Sequence, residues 1–363
     1  METILKEKII SKFSELKEYQ QKKIVKFLNR FLSINIIDTD FISGKNRVCA
    51  KCGSTFFVKN GTYERKNDEK IVQRYMCKNE KCSGTQSANK NTPLHNLNKK
   101  TEWVDFVYLM LDSDEPMSCR SISENLDISE RTSFRWRHRF LSSLKKSNPM
   151  SLGEELELDE VYFPFNVKGT IGKEKYDEYY GPKHPANVES ELRKKEKFMQ
   201  KENYQSIFLC RHNRSGDFDF STIKIQKKGV VSKADLERVM KDFDFSNKTI
   251  ITDKESSMLS YIKTLESVNH LTFRSSDMKK GIIENIKVHN NNINNVMSQI
   301  KNWLRYFHGV STKYLDNYLN WFRFRLLFKS SKIEEMVEFS LLDKESYPRF
   351  KNLFKTYEAF VAI

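Results

Sequence analysis

The pattern of apolar and polar positions changes along the chain, and each pattern predicts a different kind of element. Apolar residues recur at helical spacing over residues 102–144, which predicts helices. From residue 154 the stretch "EELELDEVYFPF" alternates with period two, which predicts a strand with Leu156 and Leu158 facing away from Asp159. Further strands are predicted at "QSIFLCRH", "DFDFSTIKI" and "KTIITD", with helices at "SKADLERVMKDF" and directly after Asp253.

A second amphipathic pattern lies in "VHNNNINNVMSQIKNW", which is rich in asparagine. At 100° per residue its apolar side chains form one stripe, while Asn290, Asn294 and Lys301 lie within about 40° of one another beside it. Asn294 and Lys301 are two helical turns apart, so their side chains line up along the helix. We therefore expect one amide of the run to be needed beside a phosphate site, and Asn292 and Asn295 to be compositional.

The composition is that of a folded protein with a polyanionic partner. Of 363 residues, 38% are hydrophobic, and 63 Lys and Arg against 48 Asp and Glu give a net charge of +15. Such an excess favours nucleic acid first and an anionic membrane second. There is no apolar run of the roughly 18 residues that a membrane span needs. The charged beginning of the chain also lacks the apolar core of a signal peptide, so we expect a cytosolic protein.

Four of the six cysteines form two close pairs, Cys49-x2-Cys52 and Cys77-x4-Cys82. In a reducing compartment such pairs more often hold zinc than form disulfides, and two loops with two thiolates each can complete a tetrahedron. The residues between the pairs predict strands around a turn at "NG". The sequence thus predicts a zinc ribbon, and it leaves the other two cysteines as core residues.

The helical stretch that follows contains a candidate DNA-binding motif. A short helix in "SCRSISENLDIS" leads to a turn, after which Ser129 is a plausible N-cap for a second helix. In that second helix Arg131, Arg135 and Arg139 recur every four residues, so we expect them to share one exposed face. Trp136 is expected to face the core. This pattern favours a helix-turn-helix that contacts the major groove or phosphates, with a solvated packing helix as the alternative.

Asp253 ends a β-branched strand and directly precedes a helix. Ligands and metals bind at the carboxyl ends of strands in open α/β sheets, which favours a site residue. An aspartate before a helix is equally typical of an N-cap. The residues alone leave both readings open.

The order of these parts resembles the bacterial insertion-sequence transposases of the zinc-ribbon DDE branch, over about residues 48–328. The resemblance is carried by the paired cysteines, the aspartates in "LELD" and "IITDKE", and the blocks "HNNNINNVMSQIKNW" and "GVSTKYLDNYLNWF". In many members of that branch the third acid is replaced by asparagine, with a lysine seven residues later. One departure is that a long charged stretch, residues 170–204, follows the first aspartate where the family usually has a Gly- and Arg-rich loop.

The resemblance implies which residues form the active site. Asp159, Asp253 and Asn294 would occupy the three acid positions and hold Mg²⁺ or Mn²⁺, two ions per site, with Lys301 as the associated lysine. His289 would be a further catalytic residue, and Asn291 belongs to the same motif. Glu284 is the competing candidate for the third position.

The resemblance also implies an α/β, RNase H-like catalytic domain with a mixed sheet, and a DNA transposase. Such an enzyme binds terminal inverted repeats, cleaves the DNA ends and joins the 3′-hydroxyl to target DNA, acting as a homodimer or larger homo-oligomer at the bacterial nucleoid. It would contain one structural zinc. The alternatives are an inactive, domesticated DNA-binding protein and an RNase H-like nuclease that cuts without joining.

The domain organisation follows from these assignments. We expect five segments. Residues 1–44 form an N-terminal amphipathic helical segment for packing or dimerisation, with DNA contact as the alternative. They are followed by a zinc ribbon at 45–92, a helix-turn-helix domain at 93–148, the catalytic domain at 149–330 with its charged insertion at 170–204, and a C-terminal helical tail at 331–363.

Overall fold

The protein consists of two compact units that are described separately. The first contains the described residues up to Ser143 together with 346–348, and the second contains the described residues of 144–330 and those from Arg349. The computed structural model describes residues 11–17, 21, 49–64, 71–87, 89–112, 115–144, 153–166, 204–227, 230–274, 288–327 and 346–355. Most of segment 1–44, nearly all of insertion 170–204, Glu284 and most of the C-terminal tail lie outside these residues. Within the described residues, no helix has both the length and the apolar character that a membrane crossing requires.

The first unit begins with a three-stranded antiparallel sheet in the order β1-β2-β3, formed by Phe57–Glu64, Ile71–Cys77 and Thr85–Ser87. The predicted turn at Asn60-Gly61 is wrong, because β1 continues through both residues. The pairing register with β2 shifts between Lys59 and Thr62, and Gly61 has φ +64°. An extra residue with positive φ is typical of a β-bulge, so the glycine bends the strand without ending it.

Three helices follow in the first unit: α1 at Lys100–Asp112, α2 at Cys119–Leu126 and α3 at Glu130–Leu144. Asp127, in the left-handed conformation with φ 51°, ends α2. The predicted cap of α3 is confirmed, because the Ser129 hydroxyl accepts a hydrogen bond from the N–H of Thr132 at 3.1 Å. The interior between these helices is aromatic and includes Trp136, which is 7% exposed.

The second unit contains a five-stranded mixed sheet in the order β6-β5-β4-β7-β8. Strands β4 to β6 form an antiparallel meander, and β7 and β8 run parallel to β4. The predicted strands and the helices between them are all present. The strands are Glu155–Pro164, Tyr204–Asn213, Phe218–Lys227, Thr249–Asp253 and Asn269–Phe273, with α4 at Lys233–Met240 and α5 at Ser256–Ile262.

Helices cover this sheet on both faces. Leu156 and Leu158 of β4 belong to a buried cluster with residues of α4 and α5, such as Leu236 and Met258. The helices α6, Asn291–Arg305, and α7, Thr312–Leu327, contact β4, β5 and β6. Because side chains alternate along a strand, the face of β4 opposite the leucines carries Glu157 and Asp159. A last helix, α8, spans Ser346–Lys355.

Candidate active site and zinc centre

Two aspartates lie at corresponding positions on neighbouring parallel strands of the second unit. Glu157 of β4 is paired with Ile251 of β7, so two residues further along each strand Asp159 lies beside Asp253. Adjacent strands are about 4.8 Å apart, so the two carboxyl groups lie close together where β7 ends, while β4 continues to Pro164. The helix after β7 has its N-cap at Glu255, whose N–H donates to Asp253 Oδ1 at 3.2 Å. Asp253 is therefore not the helix N-cap.

The electrostatics of this site disfavour negative charge. Burial, followed by the charge of Asp253, raises the pKa of Asp159 to about 7, while Lys301 is close enough to oppose the rise. Burial, followed by the charge of Glu255, raises the pKa of the adjacent Glu160 to about 9. Asp159 and Asp253 are oxygen ligands that repel one another. Such a pair suits a hard divalent cation, so these two carboxylates fit Mg²⁺ or Mn²⁺.

The start of α6 lies against these carboxylates through its asparagines. The Asn290 side chain, 4% exposed, donates from Nδ2 to Asp159 Oδ2 at 3.0 Å, and its Oδ1 accepts from Asn294 Nδ2 at 2.7 Å. An ionised carboxylate only accepts hydrogen bonds, so it fixes the orientation of both amides in turn. The Asn294 side-chain oxygen is then the end of the chain Asp159–Asn290–Asn294 that remains to bind a ligand.

The sequence identified this run but assigned its members only in part. Helical spacing groups Asn290 with Asn294 and Lys301, yet nothing in the sequence shows that Asn290 is the amide in direct contact with Asp159. The expectation that Asn292 is compositional is wrong, because its Nδ2 donates to the buried Glu157 carboxylate at 2.8 Å. Asn295, by contrast, is exposed.

His289 contributes to the beginning of the helix. Its Nδ1 accepts from the N–H of Asn291 at 3.3 Å, and its carbonyl accepts from Arg214 Nη2 at 2.8 Å. Among the described residues, these hydrogen bonds run to the helix start and to the arginine rather than to either aspartate.

The four paired cysteines of the first unit converge on one point. Their sulfur atoms all lie within 4.8 Å of one another, with Cys49 Sγ 3.6 Å from Cys82 Sγ and Cys52 Sγ 3.7 Å from Cys77 Sγ. The edge of a tetrahedron with Zn–S bonds of 2.3 Å is about 3.8 Å, so the spacing fits zinc. The other two cysteines lie elsewhere, Cys210 fully buried and Cys119 half-buried.

The cysteine ionisation is consistent with a metal site. Burial raises the pKa of Cys49, but the N–H groups of Lys51 and Cys52 outweigh it and lower the pKa to about 7. The N–H of Gly84 lowers the pKa of Cys82, but burial and the neighbouring thiols raise it to about 11. The Cys49 thiol therefore loses its proton readily, whereas ionisation of Cys82 is unfavourable. A bound cation would stabilise both thiolates and so favour ionisation of the whole group.

The arginine face predicted for α3 requires a correction. Arg131 and Arg135 are exposed in the first half of the helix, but Arg139 is only 7% exposed. Its guanidinium donates to the carbonyls of Pro93 and His95 and lies 4.9 Å from the centre of the Tyr347 ring. Burial lowers the pKa of Arg139 to about 10. Each four-residue step turns the helix by a further 40°, which brings the third arginine into the core.

The sheet order, with two aspartates on adjacent strands, fits the RNase H-like fold of transposase catalytic domains. Residues 152–326 match the family model of the ISXO2-like transposase domain. The match covers 175 of the 363 residues, and for this part of the chain it confirms the resemblance to insertion-sequence transposases of the DDE type. Comparison with curated proteins and with solved structures finds no match.

Proposed function

We propose that this protein binds the terminal inverted repeats of an insertion sequence, cleaves the DNA ends and joins the freed 3′-hydroxyl to target DNA. The observation that carries the proposal is that Asp159 is close to Asp253 and is bonded through Asn290 to Asn294, within residues that match a transposase domain. In-line displacement at phosphorus needs charge stabilisation and positioning more than covalent chemistry, and this site has groups suited to both.

Asp159, Asp253 and the side-chain oxygen of Asn294 would hold Mg²⁺ or Mn²⁺. Ions held there would supply charge stabilisation for the attacking and leaving oxygens of a phosphoryl transfer. A neutral amide in place of a third carboxylate leaves the site with one negative charge fewer. The Asn290 amide is bonded to both side chains and so fixes the orientation of the Asp159 carboxylate and of the Asn294 amide.

The exposed face of α6 is suited to bind the DNA backbone next to this site. Its sequence contains no acidic residue, although the whole chain has 48. Asn294, Ser298, Lys301 and Arg305 are all exposed, and at 100° per residue they form one row about 16 Å long. We assign Lys301 to the scissile or adjacent phosphate and Arg305 to one further along the strand.

End recognition is assigned to α2 and α3 as a helix-turn-helix. The two helices are separated by three residues, and the exposed half of α3 is its N-terminal half, which carries Arg131 and Arg135. Recognition helices contact base edges with their N-terminal residues. The zinc centre would stabilise the small sheet that precedes these helices.

The test is cleavage and joining of DNA carrying the element ends, with Mg²⁺. Asp159→Ala and Asp253→Ala should each abolish cleavage, while end binding stays within a few-fold of the parent because both aspartates belong to the second unit and Arg131 and Arg135 to the first. Gln299→Ala is the matched control, because Gln299 is exposed on α6 but lies outside the row that contains Lys301, and it should retain cleavage. Robust cutting by either aspartate variant contradicts the proposal. Cutting without strand transfer would favour a nuclease, and binding without cutting a domesticated DNA-binding protein.

A further inference from the structure

A second carboxylate of β4 is buried against the beginning of α6. Glu157 is 0% exposed, and its two oxygens accept three hydrogen bonds. Oε1 accepts from Asn292 Nδ2 at 2.8 Å and from Arg214 Nε at 3.2 Å, and Oε2 accepts from the N–H of Ile293 at 2.9 Å. The N-cap position of the helix, Asn290, makes no side-chain capping bond of its own. Glu157 therefore supplies the cap from a different element.

Arg214, in the turn between β5 and β6, holds the same helix start from the other side. Besides its bond to Glu157, it donates from Nη2 to the carbonyl of His289 at 2.8 Å. Its own N–H is bonded to the carbonyl of Glu155 at 3.1 Å. An anion beside the first turn is also stabilised by the helix dipole, and the arginine compensates the buried charge.

We propose that Glu157 and Arg214 are positioning residues that fix the first turn of α6 to the sheet, and thereby fix Asn290 and Asn294 at the metal site. The inference rests on the proposed function. Glu157 and Asp159 lie on one face of β4, about 6.7 Å apart along the strand. One binds residues 292 and 293 and the other binds Asn290, so the helix start is held at two points.

A carboxylate is required at this position because all three partners of Glu157 are donors. The amide, the backbone N–H and the guanidinium each point a hydrogen toward it. A glutamine of the same shape has one acceptor oxygen and would turn its NH₂ group toward at least one of these donors. Glu157→Gln is therefore a nearly isosteric change that loosens the helix start.

The experiment measures Mn²⁺ binding without DNA, by the electron paramagnetic resonance signal of free Mn²⁺, together with hydrogen exchange of the Ile293 amide. In Glu157→Gln we expect the Mn²⁺ dissociation constant to rise about tenfold or more, as for other residues that orient metal ligands, and the Ile293 amide to exchange at least about tenfold faster. Asn292→Ala, which removes one contact from a half-buried side chain, should weaken Mn²⁺ binding a few-fold and serves if Glu157→Gln does not fold.

Two controls separate positioning from general stability. Glu155→Gln removes the exposed carboxylate 3.5 Å from Arg214 Nη1 and should leave Mn²⁺ binding within about twofold. Ile300→Val lowers stability within the buried face of α6 and should leave Mn²⁺ binding unchanged. If Ile300→Val weakens Mn²⁺ binding as much as Glu157→Gln does, the positioning role is refuted.

The outcomes also separate this inference from the proposed function. If the parent binds Mn²⁺ and Glu157→Gln binds it equally well, the positioning role is overturned and the proposed function stands. If the parent binds no Mn²⁺, the proposed function fails. The exchange rate of the Ile293 amide then decides alone: a faster rate in Glu157→Gln supports the anchoring of α6, and an unchanged rate overturns it.

Discussion

Replacing Asn290 by alanine tests how the asparagine run acts. The side chain is 4% exposed and connects Asp159 to Asn294 through bonds of 3.0 and 2.7 Å. Asn290→Ala removes both bonds without adding a charge. The Asp159 carboxylate then loses a donor, and the Asn294 amide is free to rotate.

The expected magnitude follows from the bond to the carboxylate. A hydrogen bond to a charged group contributes about 1.5–3 kcal/mol, and each 1.4 kcal/mol lost from transition-state stabilisation is tenfold in rate. We therefore expect Asn290→Ala to cut DNA about tenfold to a hundredfold more slowly than the parent. Asn290→Asp should be worse at low pH, because a second carboxylate raises the pKa of Asp159 above about 7 and protons then compete with the metal.

The assay is single-turnover cleavage of element-end DNA with saturating Mg²⁺, with thermal unfolding measured in parallel. Asn295→Ala is the matched control, since Asn295 is exposed on the same helix, and its rate should equal the parental rate. A parental rate for Asn290→Ala, in protein that is fully folded, would refute the relay through Asn290.

Three further predictions concern other parts of the chain. Cys77→Ser should remove the single zinc found by elemental analysis and weaken DNA binding, and a folded parent without zinc would exclude the metal centre. Arg131→Ala with Arg135→Ala should reduce the salt dependence of end binding by about one unit of slope per lost phosphate contact, so an unchanged slope would place the DNA site elsewhere. Asp235→Asn should lower the unfolding free energy by about 1–2 kcal/mol at pH 7: burial raises the pKa of Asp235, but Lys224 and Ser232 outweigh it and lower the pKa to about 2. Because this folded-state pKa is depressed, the contribution is complete above about pH 5 and is lost as the pH falls through about 2, and below that pH parent and variant should unfold alike.

The period of the apolar pattern was sufficient to predict the elements of the catalytic domain. Alternation in β4 separates Leu156 and Leu158 from Asp159, and the contacts confirm it, because the leucines pack in the cluster with α4 and α5 whereas Asp159 binds Asn290 beside α6. The prediction of a turn at Asn60-Gly61 is wrong because the dipeptide alone does not distinguish a hairpin turn from a β-bulge. Pairing with β2 decides between the two, and pairing is not local.

The site was predictable as far as it is encoded by helical and strand periods. These place Asn294 in line with Lys301, and they grouped Asn290 with both. They do not reveal that Asn290 is the amide buried against Asp159, since that depends on how α6 meets the sheet. The place of Glu157 beside the site was predictable from the sequence, because alternation along β4 puts Glu157 and Asp159 on the same face. The role of Arg214 was not predictable, because a turn residue acquires its partners only in the folded chain.

The burial of Arg139 has a consequence for anyone who divides this protein. Tyr347 lies over the Arg139 guanidinium and stacks on His95 at 4.4 Å, and its N–H binds the carbonyl of Asn91 at 3.1 Å. The first unit is thus completed by a segment that is synthesised some 200 residues after α3. A fragment that stops after α3 leaves one side of a buried cation without its aromatic cover, so C-terminal truncations perturb the unit that carries α2 and α3.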